Sequence, residues 1–155
     1  MAKNFKKHKL IIASLFVGLI CLIAGVFKIL HPAKKGFLIY EAAGGMQLFY
    51  AFILPMHFRS RATWAVSLLC FSSYFGYSLY MNLIDKMCMC FGSKVQLPPL
   101  YTFSILGLLI TLSVYAMWSC GCKSFQRWML LITSMVLSIV IGFMTAGAVM
   151  TLYNV

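Results

Sequence analysis

Apolar residues run through this chain in five long blocks, Leu10–Leu30, Phe37–Met56, Ala62–Ile84, Leu100–Trp118 and Trp128–Tyr153. Each is near the roughly 20 residues that a helix needs to cross a bilayer core. The second block is the most interrupted, since it holds Glu41, Gln47 and Pro55. The polar connections are short, except for Asp85–Pro99. No block is left over for a soluble domain, and no internal repeat is visible. The pattern predicts one polytopic all-α membrane domain over residues 1–155. Small residues predict how its helices pack. Ser138, Gly142 and Ala146 form a stripe at four-residue spacing, and Gly18 and Gly25 stand one heptad apart. Both arrangements let helix backbones approach closely.

Composition strengthens this reading. Of 155 residues, 63% are hydrophobic and 10% are charged, against about 25% charged in a soluble domain. The acidic side chains are Glu41 and Asp85 alone, so the formal net charge is +11. The basic residues lie in short clusters between apolar blocks. That layout fits topology signals and contacts to anionic lipid headgroups rather than nucleic acid. The basic start and first apolar run resemble a signal peptide. However, the run exceeds the 7–15 residues of a signal core, and no small-x-small site follows it. Ile20 stands where the residue before a lipidated Cys21 should be small. An uncleaved first helix is expected.

Charge also predicts orientation. With the N-terminus in the cytoplasm, that side receives Lys3, Lys6, Lys7, Lys9, Arg59, Arg61, Lys123 and Arg127. The outer side receives Lys34, Lys35, Lys86 and Lys94. Eight against four favours this arrangement under the positive-inside rule. Cys88 and Cys90 then face the compartment where disulfides persist, and Cys120 and Cys122 face the reducing cytoplasm.

The chemistry-bearing residues are few. Cys88-Met89-Cys90-Phe91-Gly92 places two thiols one residue apart at the mouth of the third block. Oxidation would close a small, strained ring, and strained accessible disulfides tend to be labile or catalytic. Lys86 and Lys94 would favour the reactive thiolate. A static pair of thiols is the plain alternative. Zinc needs four ligands, which this stretch does not offer. Copper(I) accepts fewer and softer ones, and Met87 and Met89 alternate with the thiols. Cys120-Gly121-Cys122 repeats the spacing at the end of the fourth block. A 20-residue helix is about 30 Å long, so the two pairs cannot touch, and the second reads as a possible additional thiol pair. Cys21 and Cys70 read as packing residues.

Lys28 and Glu41 are ionisable side chains inside predicted spans, where charge is costly and points to function. Both sit near the outer end of their helices, and a Lys28–Glu41 pair is the working expectation, with snorkelling of Lys28 as the alternative. His31 in the following turn reads as a loop histidine that could join them. Tyr74, Tyr77 and Tyr80 climb the third block at three-residue spacing. They could line a flat-ring pocket such as one for a membrane quinone, although tyrosine also belongs in cores and at interfaces.

Three motifs together resemble the MauE branch of the DoxX-like membrane proteins. They are Gly25-Val26-Phe27-Lys28-Ile29-Leu30-His31-Pro32, then Glu41 with Gly44 and Gly45, then Cys88-Met89-Cys90-Phe91-Gly92. The resemblance covers roughly Gly18 to Trp118. It implies a DoxX-like four-helix bundle core in a bacterial inner membrane, here with a fifth helix. It also implies a role in thiol–disulfide maturation of exported proteins, with Cys88 and Cys90 as the redox pair and Lys28 and Glu41 as supporting polar positions. The chain departs from that pattern in a short first connection, Met87 in place of an acidic residue, and the second thiol pair.

The expected activity is therefore a thiol–disulfide exchange with a periplasmic thioredoxin-like or other thiol protein, and electrons pass to a quinone or another thiol carrier. An accessory subunit binding other membrane subunits through its small-residue stripes is the alternative. A copper-handling protein is a weaker one.

Overall fold

The five blocks form helices in the computed structural model, which describes residues 2–31, 37–84, 97–120 and 125–153. In chain order these are α1 (Ala2–Leu30), α2 (Phe37–Met56), α3 (Arg61–Leu83), α4 (Pro99–Ser119) and α5 (Phe125–Tyr153). The observed bounds lie within two residues of the expected ones for α2, α3 and α4. At the N-terminus α1 runs on well beyond its apolar block, through the lysine-rich start. At 1.5 Å per residue its length is about 43 Å, longer than the bilayer core of about 30 Å.

Among the described residues three helical segments are long and apolar enough to cross a membrane: His8–Leu30, Leu100–Ser119 and Trp128–Thr151. Large apolar side chains such as Leu15, Phe52, Leu100, Leu130 and Met144 face outward. An exterior of this kind suits lipid rather than water, and the chain is an all-helical membrane protein. The helix α3 is more polar, with four serines and three tyrosines, and it sits where neighbours cover that polarity.

Two tightly packed groups make up the fold. In one, α1 lies antiparallel on α2; in the other, α3 packs on both α4 and α5. Glycine sets the close approaches. A Cβ on Gly25 would come 2.9 Å from the Gly44 carbonyl oxygen, and one on Gly44 would come 3.2 Å from that of Gly25. One heptad away, a Cβ on Gly18 would stand 3.1 Å from the Ala51 oxygen. That carbonyl has no i+4 amide partner, because the residue four positions on is Pro55. Gly18 thus packs over a carbonyl that a larger residue would crowd.

The α3–α5 crossing is closer still. A Cβ on Gly76 would collide with the Ile139 backbone, and one on Gly142 with the Ser73 backbone. The predicted stripe of small residues is therefore used inside the fold, with Ala146 also fully buried. Tyr80 continues the contact, with its ring edge-on to Phe143 at 5.0 Å and against Gly147.

The end of the fold where α3 starts is tied by polar contacts. Ser60 caps α3 by accepting from the Thr63 amide. Trp64, with no exposed surface, donates its indole N–H to the Phe58 carbonyl at 2.8 Å. Arg61 Nε donates to the Cys120 carbonyl at 2.6 Å, which places a cation on the carbonyl end of the α4 dipole. This bond also fixes α3 and α4 antiparallel. At the opposite end α1 finishes, α2 begins, α3 finishes and α4 begins.

Candidate functional site

The two helix groups meet across a looser seam. Backbones touch little there, between α1 and α4 and between α2 and α3. Side chains therefore fill the gap: an apolar core with Val17, Leu54, Leu68 and Leu109 spans it, and the buried Lys28 and Thr102 join it. Lys28 is the most consequential. Near the C-terminal end of α1, it is 3% exposed, and its Nζ lies 4.8 Å from the centroid of the Tyr74 ring on α3. Its stem packs beside Gly44, where a Cβ would meet the Lys28 Cβ at 3.2 Å. Sequence spacing explains the position: Cys21, Ala24 and Lys28 repeat at three and four residues, so they share one face of α1, and all three are buried.

The expected Lys28–Glu41 pair is not formed. The α1–α2 register brings Glu41 to the level of Lys28, yet no ion pair links them among the described residues. Lys28 turns instead into the seam and onto an aromatic face, where a desolvated ammonium gains roughly 2 kcal/mol or more. Snorkelling is not its answer either, since almost none of its surface is exposed. Glu41 stays half-buried on α2. His31 closes α1 through its amide on the Phe27 carbonyl at 3.0 Å, with its ring beside Phe27.

Toward the middle of the seam the thiols Cys21 and Cys70 appear, both free. Cys70 on α3 donates to the Tyr50 hydroxyl on α2 at 3.6 Å. Cys21 lines a cavity of about 30 Å³ together with Gln47, Phe71, Tyr74 and Thr102. In two of the lining residues a polar atom, Gln47 Oε1 and Thr102 Oγ1, is buried and has no hydrogen-bond partner. Ser72 and Ser78 on α3 carry buried hydroxyls in the same condition.

The tyrosine ladder does not form one flat pocket. Tyr74 faces α1 and the cavity, whereas Tyr80 faces α5. Three-residue steps advance about 300° around a helix axis, so residues six apart diverge.

Of the sequence-predicted thiols, Cys88, Cys90 and Cys122 lie outside the described residues. Cys120 is the C-cap of α4, at the end opposite Lys28. Its thiol faces the Phe58 carbonyl at 4.0 Å. Burial raises Cys120 above the ordinary thiol range, and the nearby Arg61 charge only partly opposes this. A protonated thiol is a poor nucleophile, so Cys120 is held in an unreactive form. Among the described residues no group of three His, Cys, Asp or Glu side chains is placed to hold a metal ion.

Sequence reasoning missed Thr102 and Tyr50, and it treated Gln47 only as an interruption. The available signal was that interruption: an amide in mid-span needs a polar neighbour. No protein family, curated protein or solved structure matches the chain.

Proposed function

We propose that this chain is a thiol–disulfide redox protein of a bacterial inner membrane, acting on exported thiol proteins through Cys88 and Cys90. The supporting observation is topological. The chain leaves α3 at Leu83 and re-enters a helix at Pro99, and both of these helix ends lie at the Lys28 end of the fold. Cys120 lies at the other end, about 30 Å away along α4. The loop charges favour the Lys28 end as the outer one. The similarity of the three motifs to the MauE branch of the DoxX-like proteins points the same way.

In the proposed exchange, one thiolate attacks a sulfur of the partner's disulfide. A mixed disulfide forms as the partner's own S–S bond breaks and frees its other sulfur as a thiolate. The second cysteine then displaces the partner, closing the Cys88–Cys90 bond and releasing a reduced dithiol. Run backwards, the same steps oxidise the partner, with the electron pair passing on to a membrane quinone or another thiol carrier.

Differential alkylation with a membrane-impermeant reagent tests this reading. Cys88 and Cys90 should be labelled from the outer face only after reduction, and either Cys88→Ser or Cys90→Ser should trap a mixed disulfide with a partner. Labelling that occurs only from the cytoplasmic face, or single variants with unaltered partner oxidation, would overturn it. The accessory-subunit reading loses one of its supports, because Gly25, Gly76 and Gly142 are spent on contacts within the chain.

A further inference from the structure

The chain joins its two helix groups once. Residues 31–36 connect α1 to α2 within one group, and the stretches after α3 and α4 stay within the other. The short connection 57–60 alone passes between the groups, at the end of the fold where α3 starts. Packing across the seam is concentrated at that same end. The buried members of the apolar core run from Leu10, Leu54, Trp64 and Met117 to Cys21, Phe71 and Leu109, and reach no further toward Lys28. Beyond that level the seam changes character. A cavity of about 30 Å³ separates the groups, with Ala24 and Gln47 on one side and Tyr74 and Leu106 on the other. Side chains around a void lack dispersion partners there. Nearer the end, Lys28 of the first group lies on the Tyr74 ring of the second.

Two opposed terms act on that contact. Withdrawing an ammonium from water costs more than a ring face returns. Lys28 stands two residues from the end of α1, so a modest parting of the groups at this end hydrates its head while the stem keeps its apolar contacts. The Lys28 charge thus drives the seam apart, and the Tyr74 ring opposes it. We propose that the α1–α2 hairpin and the α3–α4–α5 group form a shell hinged at residues 57–60, which opens at the Lys28 end and is held closed there by the Tyr74 ring. Each group moves as a body, because Gly25 packs on the Gly44 carbonyl within one and Gly76 on the Ile139 backbone within the other. Hinges of this kind absorb the change in a few residues at element ends. With helices about 30 Å long, about 10° of rotation at the pivot moves the far ends by about 5 Å. Displacement grows with distance from the pivot, so the apolar core beside it stays packed. This inference does not depend on the chemistry of Cys88 and Cys90.

Pulsed spin-resonance distances on the full chain in lipid nanodiscs test it, with spin labels on ketone-bearing residues so that the native thiols stay in place. The labels replace exposed side chains. Leu30 with Leu83 spans the seam at the Lys28 end, Ile12 with Val66 spans it at the other end, and Leu83 with Leu100 stays within one group. Leu30–Leu83 should show two distances differing by about 5 Å, and each of the other pairs one narrow distance. Two variants that delete the same contact should then move the ratio in opposite directions. Tyr74→Leu leaves the ammonium without its ring and should raise the open-to-closed ratio by about tenfold. Lys28→Met removes the charge and should abolish the longer distance. Tyr74→Phe keeps the ring face and should retain the parent ratio, so the test stands even where Tyr74→Leu does not fold. A single narrow Leu30–Leu83 distance in the parent overturns the proposal. Equal broadening of Ile12–Val66 does so too, since it would show a seam loose along its whole length. So does a longer distance that persists in Lys28→Met, which would show that the charge drives no opening.

Discussion

Alanine at Gly76 or Gly142 would force apart the tightest crossing in the fold. A methyl group there falls well inside the 3.0 Å that real Cβ atoms essentially never cross, and what it meets is the backbone of Ile139 or Ser73. A backbone cannot rotate aside as a side-chain tip can, so α3 and α5 must separate by on the order of 1 Å. A gap of that size forfeits about a quarter to a half of each dispersion contact it opens. Overpacking of this kind costs about 1–3 kcal/mol, and the better helix propensity of alanine returns at most about 1 kcal/mol. The net loss should be about 1–2 kcal/mol, a drop of roughly five- to thirtyfold in the folding equilibrium. The controls lie in the same chain. Gly45 and Gly107 have nothing within 4 Å of an added Cβ, so alanine there should be neutral or stabilise by up to about 1 kcal/mol. Reversible unfolding in mixed detergent–lipid micelles reads all four variants. Equal effects from Gly76→Ala and Gly107→Ala would refute the close-crossing account.

Other expectations follow from the seam and the capped end. A double-mutant cycle of Lys28→Met with Tyr74→Leu should give a coupling of about 1–2 kcal/mol. The same cycle with Glu41→Gln should couple by less than about 0.5 kcal/mol, because those two side chains do not meet. Trp64→Phe leaves the Phe58 carbonyl short of its buried donor and should cost about 1–3 kcal/mol in the same unfolding assay. Alkylation of Cys120 should have a pH midpoint above that of an ordinary thiol and shift higher still in Arg61→Leu, measured by reagent uptake against pH. The sign for stability follows. The unfolded thiol ionises first, so the contribution of Cys120 is complete below the ordinary thiol pKa and declines as pH rises above it.

Helix positions were legible because span length is fixed by bilayer thickness, and the apolar blocks end at polar residues: His31, His57, Asp85, Ser119 and Asn154. Ser60 and the Pro98–Pro99 step mark the starts of α3 and α4. The use of small residues was legible too, since Gly18, Gly25 and Gly142 all lie at close approaches. Which polar side chains meet was harder to read. Lys28 and Glu41 are level in sequence register, yet Lys28 turns to Tyr74. Thr102 looks like one more helical threonine until the carbonyl it would use is seen to be engaged. Cys21, read as a packing residue, is part of the buried apolar core, whereas Cys70, read the same way, also donates to the Tyr50 hydroxyl.

The sequence by itself determined the number and placement of the apolar helices, the membrane class of the protein and the spacing of its thiols. Those properties depend on the order of residues along one segment. Tertiary structure alone decided the partner of Lys28, the loose seam and the small cavity within it. In soluble helices an apolar stripe shows which face turns inward; α3 and α4 are nearly as apolar on one face as on another. Rotation about their axes is therefore set by glycine contacts and side-chain fit between helices, and it is that rotation which brings Lys28, Tyr74, Gln47 and Thr102 into one place.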